Sequence, residues 1–382
     1  MNAVDFRRLM PVTTKWAYFD HAAVAPLPEL SRKAMADQVA DQAANGDVNW
    51  PQWRQNVEIV RSLGAGLIGA EADEVAVIRN TTEGVGLVAE GFPWRDGDNV
   101  VVPSSEFPSN LYPWKHLATR GVAVRVVDAP DERLSPDAVN AACDSRTRLV
   151  AVSWVGYATG WRNDPAVYAE IAHRHGAYLF LDAIQGCGVL PLDVKAMGVD
   201  FLAADGHKWM LGPEGAGLFY VRKELLDMLR PLLVGWNSVE TAGDYTNPDV
   251  RLKPTAARYE GGSYNMAGIA GLAESLELLH NYGTANVEAD LLRVTNELCE
   301  RLLSVGAEIA SDRSSDKATG IVAFTLPGQS TTELRKRLLQ CNVVVRERNG
   351  RLRASPHAYT NRDDIDRLIE GLHERSRIRP QC

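Results

Sequence analysis

The chain has 382 residues, of which 45% are hydrophobic and 24% charged, and these values are typical of a globular protein with two domains. Forty-one basic residues against 49 acidic ones give a net charge of −8, which argues against a nucleic-acid-binding surface. The sequence shows no secretion signal and no apolar run long enough to cross a bilayer, so we expect a cytoplasmic protein without a membrane partner.

Short β-branched runs alternate with helix-like stretches from residue 75 onward. The runs are VAVI (75–78), NVVVP (99–103), VAVRVV (122–127), RLVAVSW (148–154), AYLFLD (177–182), DFLAAD (200–205) and GLFYV (217–221). Such alternation predicts a largely parallel sheet with helices on both faces.

Beyond residue 254 longer helical patterns replace this alternation. We predict helices over 267–282, 287–305 and 363–374, and strands over 320–326 and 343–346. Residues 236–258 are polar and irregular, which predicts a loop. We therefore expect a large domain over 21–260, a smaller α/β domain over 261–382, and an N-terminal segment, 1–20, that packs with the small domain.

Three patterns that could suggest other sites have simpler explanations. Gly64, Gly66 and Gly69 have dinucleotide-binding spacing, but residues before them resemble an amphipathic helix rather than the required strand. His173 and His175 end a predicted helix, where imidazole suits the helix dipole, so we predict no metal site. The cysteines are odd in number and scattered, which predicts reduced thiols: Cys143, Cys187, Cys299, Cys341 and Cys382.

Polar residues follow two of the predicted strands. Asp182 ends AYLFLD, and Gly206-His207-Lys208 follows DFLAAD, so both groups lie at the carboxyl edge where α/β sheets bind ligands. Thr81-Thr82 opens a helix after VAVI, and a helix N-terminus can bind phosphate. Taken singly, these residues could be a turn cap, a solvated charge and an N-cap.

The segment LDAIQGCGVLPLDVKAMGVDFLAADGHKWMLGPEGAGLFYV (181–221) contains these residues and resembles the class V aminotransferase family of fold type I enzymes, which use pyridoxal 5′-phosphate (PLP). The family includes cysteine desulfurases, kynureninases and isopenicillin N epimerases. The resemblance extends from Tyr18 to the final helix. It implies PLP as cofactor and an α/β fold, with a mostly parallel seven-stranded sheet in the large domain and a smaller α/β C-terminal domain.

The resemblance also implies roles for individual residues. Lys208 would form the Schiff base, Asp182 would pair with the pyridinium nitrogen, and Gln185 would contact the ring hydroxyl. A carboxylate beside that nitrogen keeps it protonated, so that the ring can accept electrons. The residues expected to bind the phosphate are Thr81, Thr82 and His207.

Two further positions concern the dimer and the substrate. Ser263 stands where desulfurase-like relatives carry a threonine that reaches the neighbouring subunit's phosphate, which implies a homodimer; the alternative is an ordinary Gly-Ser turn. Arg353 resembles the family arginine that binds the substrate α-carboxylate. A guanidinium suits this role because its planar group can bind a carboxylate through two N–H donors. The alternative is a solvated strand-edge arginine. An amino-acid substrate follows from the first interpretation.

Departures from the family pattern bear on the reaction. Phe107 replaces the histidine that stacks on the cofactor in desulfurases, so we expect Phe107 to stack there; the alternative is a core phenylalanine. Only a short turn with Asn349-Gly350 stands where desulfurases carry their cysteine loop, and Cys341 ends a predicted helix. A desulfurase without a placed cysteine lacks its nucleophile.

The leading hypothesis is a PLP-dependent, aminotransferase-like enzyme that acts on an amino acid. An isopenicillin N epimerase-like epimerase or a carbon–sulfur lyase is the alternative, and cysteine desulfurase ranks below both. Epimerisation would need a second acid such as Tyr157 or His21 near the substrate Cα. Asp205 stands where a serine often helps to hold phosphate, so we expect its carboxylate to point elsewhere. A PLP-binding protein without turnover is disfavoured by Lys208, Asp182 and Arg353 together.

Overall fold

Strands and helices alternate through most of the computed structural model, which describes residues 1–373. The described strands are β1 (Ala17–Tyr18), β2 (Val75–Ile78), β3 (Asn99–Pro103), β4 (Ala123–Val127), β5 (Thr147–Ser153), β6 (Tyr178–Asp182), β7 (Phe201–Asp205), β8 (Gly217–Val221), β9 (Glu308–Ile309), β10 (Val322–Thr325), β11 (Val343–Val344), β12 (Arg346–Arg348) and β13 (Arg351–Ala354). The described α-helices are α1 (Ala3–Arg8), α2 (Glu29–Asn45), α3 (Trp50–Ile68), α4 (Thr81–Gly91), α5 (Tyr112–His116), α6 (Pro136–Ala142), α7 (Pro165–Arg174), α8 (Met266–Tyr282), α9 (Thr284–Ser304), α10 (Thr331–Gln340) and α11 (Arg362–His373).

The large sheet has the strand order β2-β8-β7-β6-β5-β3-β4. β8 runs antiparallel to both of its neighbours, and the pairs among β3, β4, β5, β6 and β7 are parallel. All residues of β2, β3, β7 and β8 are buried, because helices cover both faces and strands there must be apolar on both sides. The predicted, mostly parallel seven-stranded sheet is thereby confirmed.

Each face of the large sheet has its own apolar layer. Side chains alternate along β6, so that Leu179 and Leu181 join the core with α3, α7 and α8, whereas Phe180 joins the core with α4 and α5. Helix α8, predicted as the first helix of the small domain, packs on α2 and α3 beside the large sheet. The domain boundaries remain predictions.

The C-terminal part forms an antiparallel sheet with the order β12-β13-β10-β9, which shares a core with α9, α10 and α11. The N-terminal segment joins this part, because β1 pairs in parallel with β11 and Phe19 lies in the same core. The prediction of one strand over 343–346 is wrong. Val343 and Val344 pair with β1, whereas the chain from Arg346 pairs with β13, so the run divides between two sheets.

The glycine and histidine patterns have the structural explanations that the sequence suggests. Gly64 and Gly66 lie inside α3, and Gly69 follows its end with a φ of 70°, so no strand precedes the motif. His173 Nε2 lies 2.8 Å from Asp200 Oδ2. No cluster of three or more potential metal ligands occurs among residues 1–373.

The predicted loop over 236–258 and the predicted final helix are both present in the structure. The stretch 236–258 is a largely exposed loop until a short 3₁₀ turn at Ala256–Tyr259. The final helix ends at His373 in the described chain; Glu374, the predicted helix end, and Cys382 lie outside the described residues. Within the described range, no helix combines the length and apolarity that a membrane span requires.

Helix α4 packs closely on the sheet through a glycine. A Cβ on Gly84 would lie 2.5 Å from Cβ of Ala203 in β7, whereas a Cβ on Gly86 would meet nothing within 4 Å. We expect Gly84→Ala to lower the free energy of unfolding by about 1–3 kcal/mol through overpacking. Gly86→Ala should raise it by about 0.5–1 kcal/mol, since alanine favours helices. Urea denaturation checks both values, and equal effects of the two variants would contradict this packing.

Candidate active site

A cavity of about 230 Å³ opens where β5, β6 and β7 end and α4 begins. Polar and charged groups from distant parts of the chain line it together. The lining residues are Ala22, Ala23, Asn80, Thr81, Thr82, Phe107, Ser109, Ser153, Val155, Tyr157, Asp182, Ile184, Gln185, Asp205, His207, Lys208, Arg348 and Arg353. Of the residues singled out for the site, all except Ser263 and His21 line this cavity.

Lys208 lies just beyond β7 and is 9% exposed. Burial disfavours the ammonium form and lowers the pKa of Lys208 to about 8; the charge of Asp182 opposes this effect, and that of Arg353 adds to it. Among the described residues, no carboxylate lies within salt-bridge distance of Lys208 Nζ. A larger fraction of this amine is therefore neutral at physiological pH than in an exposed lysine, which suits a nucleophilic or basic role.

Asp182 ends β6, the strand next to β7, and is 4% exposed. Burial raises the pKa of its carboxyl group to about 6, although the backbone N–H of Ile184, 3.1 Å away, and the charge of Lys208 both favour ionisation. A cationic N–H facing this carboxylate would restore its usual ionisation. The site therefore suits a protonated ring nitrogen.

Gln185 has both ends of its amide held in place. Its Nε2 donates to the carbonyl of Ala22 at 3.0 Å, and its Oε1 accepts from Trp209 Nε1 at 2.9 Å. These partners determine the amide orientation and leave one N–H of Nε2 for a ligand. The contact predicted for Gln185 with the ring hydroxyl is compatible with this orientation.

The N-terminus of α4 borders the cavity, and the first backbone N–H groups of a helix have no partner within the helix. Asn80 caps this helix by accepting from the N–H of Glu83 at 2.9 Å. Thr81 Oγ1 accepts from the N–H of Asp205 at 3.0 Å, which ties the helix to β7, and Thr82 Oγ1 donates to Ser109 Oγ at 2.8 Å. Hydroxyls and a positive dipole end together suit a phosphate.

The expectation that Asp205 points away from the site is wrong. Asp205 borders the cavity, and its Oδ2 lies 2.8 Å from Nδ1 of His207. The angle does not suit a hydrogen bond, and in the described chain His207 Nδ1 and Asp205 Oδ1 are buried without hydrogen-bond partners. Asp205 and His207 thus lie side by side at the cavity wall, each with a buried polar atom that is available to a ligand.

Arg353 is almost fully buried, at 1% exposure. Its guanidinium donates to the carbonyl of Tyr157 at 2.5 Å and to Asp20 Oδ1 at 3.2 Å, and burial lowers its pKa. Arg353 is therefore not the solvated strand-edge residue that the sequence left open. These two acceptors hold the planar guanidinium of Arg353 at the cavity wall, where it can bind a carboxylate.

Phe107 forms an aromatic wall with Tyr157. Their rings meet edge to face at 5.3 Å, and Lys208 Nζ lies 5.7 Å from the centre of the Phe107 ring. Phe107 is 42% exposed, so it is not a core residue. Its stacking on the cofactor remains a prediction that this position supports.

Two singled-out residues lie elsewhere. His21 is fully buried, with Nε2 2.7 Å from the Tyr359 hydroxyl and Nδ1 2.8 Å from the carbonyl of Ser355, and burial lowers its pKa well below the usual value. It does not line the cavity, so it cannot be the second acid. Ser263 is exposed near Trp50 and Trp236 on a separate surface. Its contact with a neighbouring subunit stays a prediction.

Sequence reasoning missed Asn80, Ser109, Ser153 and Arg348 at the cavity wall, and Glu106 beside it. Glu106 accepts from the backbone N–H of Ser153 at 2.7 Å and from its hydroxyl at 2.5 Å, and burial raises its pKa to about 8. The N-cap position of Asn80 could have been noticed before Thr81. No sequence signal marks Glu106 as buried.

The residues present fit PLP on structural grounds. The cavity combines a lysine of lowered pKa, a buried carboxyl group of raised pKa, a helix N-terminus with hydroxyls, and buried polar atoms of His207 and Asp205 that lack hydrogen-bond partners in the described chain. These features match an aldehyde, a ring nitrogen and a phosphate.

Comparisons with known proteins agree. An aminotransferase class-V family model matches residues 17–368. A probable cysteine desulfurase from Methanothermobacter thermautotrophicus is 32% identical over 98% of this chain and 98% of its own, and an uncharacterized aminotransferase, YcbU, from Bacillus subtilis is 28% identical over 96% of each. The apo structure of a cysteine desulfurase from Thermococcus onnurineus has a TM-score of 0.85 at 28% identity and covers 96% of each chain. Fold and site thus define a fold type I PLP-dependent enzyme. The chain belongs to the aminotransferase class-V family.

The lowered pKa of Lys208 predicts how the cofactor-free protein takes up PLP. The neutral amine attacks the aldehyde, and half of the amine is neutral at about pH 8, the pKa of this buried lysine. We expect the rate at which added PLP regains its protein-bound absorption band to rise with pH and to level off above that value. A rate that keeps rising to about pH 10, as for an exposed lysine, would contradict the assignment. Lys208→Ala should form no such band.

Proposed function

We propose that the protein is a PLP-dependent, aminotransferase-like enzyme that acts on an α-amino acid. The observation that carries the proposal is that the amine of Lys208, whose pKa is lowered by burial, and the buried guanidinium of Arg353 line one cavity. Arg353 would bind the substrate carboxylate, and Lys208 would take the proton from Cα as general base. Transamination needs only these groups and the cofactor.

The chain would support this reaction in several ways. When bound, PLP supplies an electron sink for the pair that is left when the Cα–H bond breaks. Asp182 would keep a proton on the ring nitrogen, and the Gln185 amide would hold the ring hydroxyl. The α4 N-terminus would anchor the phosphate. The aromatic wall of Phe107 and Tyr157 would limit water at the reacting carbon.

Sulfur transfer from cysteine has less support despite the relatives' names. None of the cavity-lining residues of the described chain is a cysteine. Asn349 and Gly350 form the two-residue turn between β12 and β13, both with positive φ, so this hairpin has no room for a cysteine-bearing loop. Cys341 follows the end of α10 and packs against the C-terminal core.

A carbon–sulfur lyase is the second candidate. Two of the relatives named above are cysteine desulfurases, which favours cysteine as substrate. Elimination of sulfur from the β-carbon starts from the same proton removal by Lys208 and needs no cysteine nucleophile. Epimerisation would use Tyr157, the remaining candidate acid at the cavity wall.

One experiment separates these reactions. The PLP-loaded protein is incubated with individual amino acids, with and without a keto acid, while the cofactor spectrum, keto acids, sulfide and the configuration at Cα are followed. We expect keto-acid formation with conversion of the cofactor to its amine form. Cys341→Ser should keep full activity, and Lys208→Ala should have none.

Other outcomes would contradict the proposal. Pyruvate and sulfide from cysteine without the amine form would indicate a lyase, and loss of configuration alone would indicate an epimerase. Sulfur release that Cys341→Ser abolishes would indicate a desulfurase. If no amino acid changed the spectrum or gave a product, the proposed function would be wrong.

The role of Arg353 predicts a selective defect. We expect Arg353→Gln to lower kcat/KM for amino acids by about tenfold to a hundredfold, mainly through KM, because a charge-assisted contact to the carboxylate is lost. The matched control is Arg346→Gln: Arg346 also contacts Asp20, at 3.0 Å, but does not line the cavity. Steady-state kinetics with an amino acid and with the amine that lacks its carboxylate check the effect. Equal losses for both compounds would contradict carboxylate binding.

A further inference from the structure

The β12–β13 hairpin presents four arginines on one face. Side chains two residues apart in a strand point the same way, and directly paired residues of neighbouring strands share a face. The pairs are Arg346 with Arg353 and Arg348 with Arg351. Four like charges this close repel one another unless anions compensate them.

Two carboxylates pair with three of these arginines. Asp20 lies 3.0 Å from Arg346 Nε and 3.2 Å from an Nη of Arg353, and Asp131 lies 2.7 Å from Arg351. Arg348 is different. Within residues 1–373 it has no carboxylate in salt-bridge range, and its Nη1 donates to the backbone carbonyl of Glu347 at 3.0 Å.

The uncompensated guanidinium faces the active-site cavity. Arg348 lines the cavity together with Arg353, and the charges of both residues contribute to the lowered pKa of Lys208. Arg351, its direct partner in the hairpin, does not line the cavity. The cavity thus holds one more cation than a substrate with a single carboxylate requires, because the phosphate is expected at the α4 N-terminus.

We infer that the substrate carries a second anionic group, a carboxylate or a similar oxyanion at the end of its side chain, and that Arg348 binds it. This inference rests on the proposed function, in which Arg353 binds the α-carboxylate. A planar guanidinium meets such a group with two parallel N–H donors. The substrate class is therefore the acidic amino acids and their oxyanion analogues. The competing arrangement, in which both arginines bind one carboxylate, predicts no preference for a dianion.

Binding without chemistry tests the inference first. The PLP-loaded protein is titrated calorimetrically with succinate or glutarate, which carry two carboxylates and no amine, and with butyrate, which carries one. We expect a dicarboxylate to bind about tenfold to a hundredfold more tightly than butyrate, and Arg348→Gln to abolish that difference. The control Arg351→Gln should retain it. If both dicarboxylates bind no more tightly than butyrate, or if Arg348→Gln leaves the preference intact, the inference is wrong.

Turnover then separates this inference from the proposed function. Arg348→Gln should lower kcat/KM for aspartate, glutamate and cysteine sulfinate by about tenfold to a hundredfold more than it lowers kcat/KM for alanine. Equal losses with alanine and the acidic substrates would mean that Arg348 serves the α-carboxylate, which overturns the inference while the proposed function stands. If no amino acid is turned over, the proposed function fails, while dicarboxylate preference remains measurable by calorimetry.

Discussion

The burial of Lys208 beside Asp182 is the constraint on which the rest of the site depends. Removal from water moves the pKa of the amine down to about 8 and that of the carboxyl group up to about 6, so that both values lie near physiological pH. Both groups are thereby ready for a ligand that supplies an aldehyde to one and a cationic nitrogen to the other. In open solvent neither residue would differ from an ordinary surface charge.

The fold places these two groups together because they end neighbouring strands. β6 and β7 are paired in parallel, and the residues after them meet at one edge of the sheet. Contacts behind the cavity then fix the details: Trp209, next to Lys208, orients Gln185, and Thr81 ties α4 to the backbone of Asp205. The edge of the large sheet lies on one side of the site, and the β12–β13 hairpin lies on the other.

The sequence was sufficient for features that depend on local pattern. Seven short apolar runs predicted the sheet, and the carboxyl ends of two of them predicted Asp182 and Lys208 at one place. The sequence was insufficient where contacts between distant segments determine the structure. Arg348 reaches the cavity only because the hairpin folds against it, and residues 343–346 divide between two sheets because β1 pairs with the first half of the run. His21 looked like a site residue, but its partners Ser355 and Tyr359 come from the other end of the chain.

The pairing of Asp20 with Arg353 spans 333 residues. During synthesis on the ribosome, all strands of the large sheet and Lys208 are complete once residue 221 has been added. The β12–β13 hairpin follows more than a hundred residues later. Under the proposed roles, the cofactor site can therefore assemble while the substrate site does not yet exist. Asp20 is synthesised before the large sheet and its two arginine partners after it, so substrate binding through Arg353 would follow cofactor binding during synthesis.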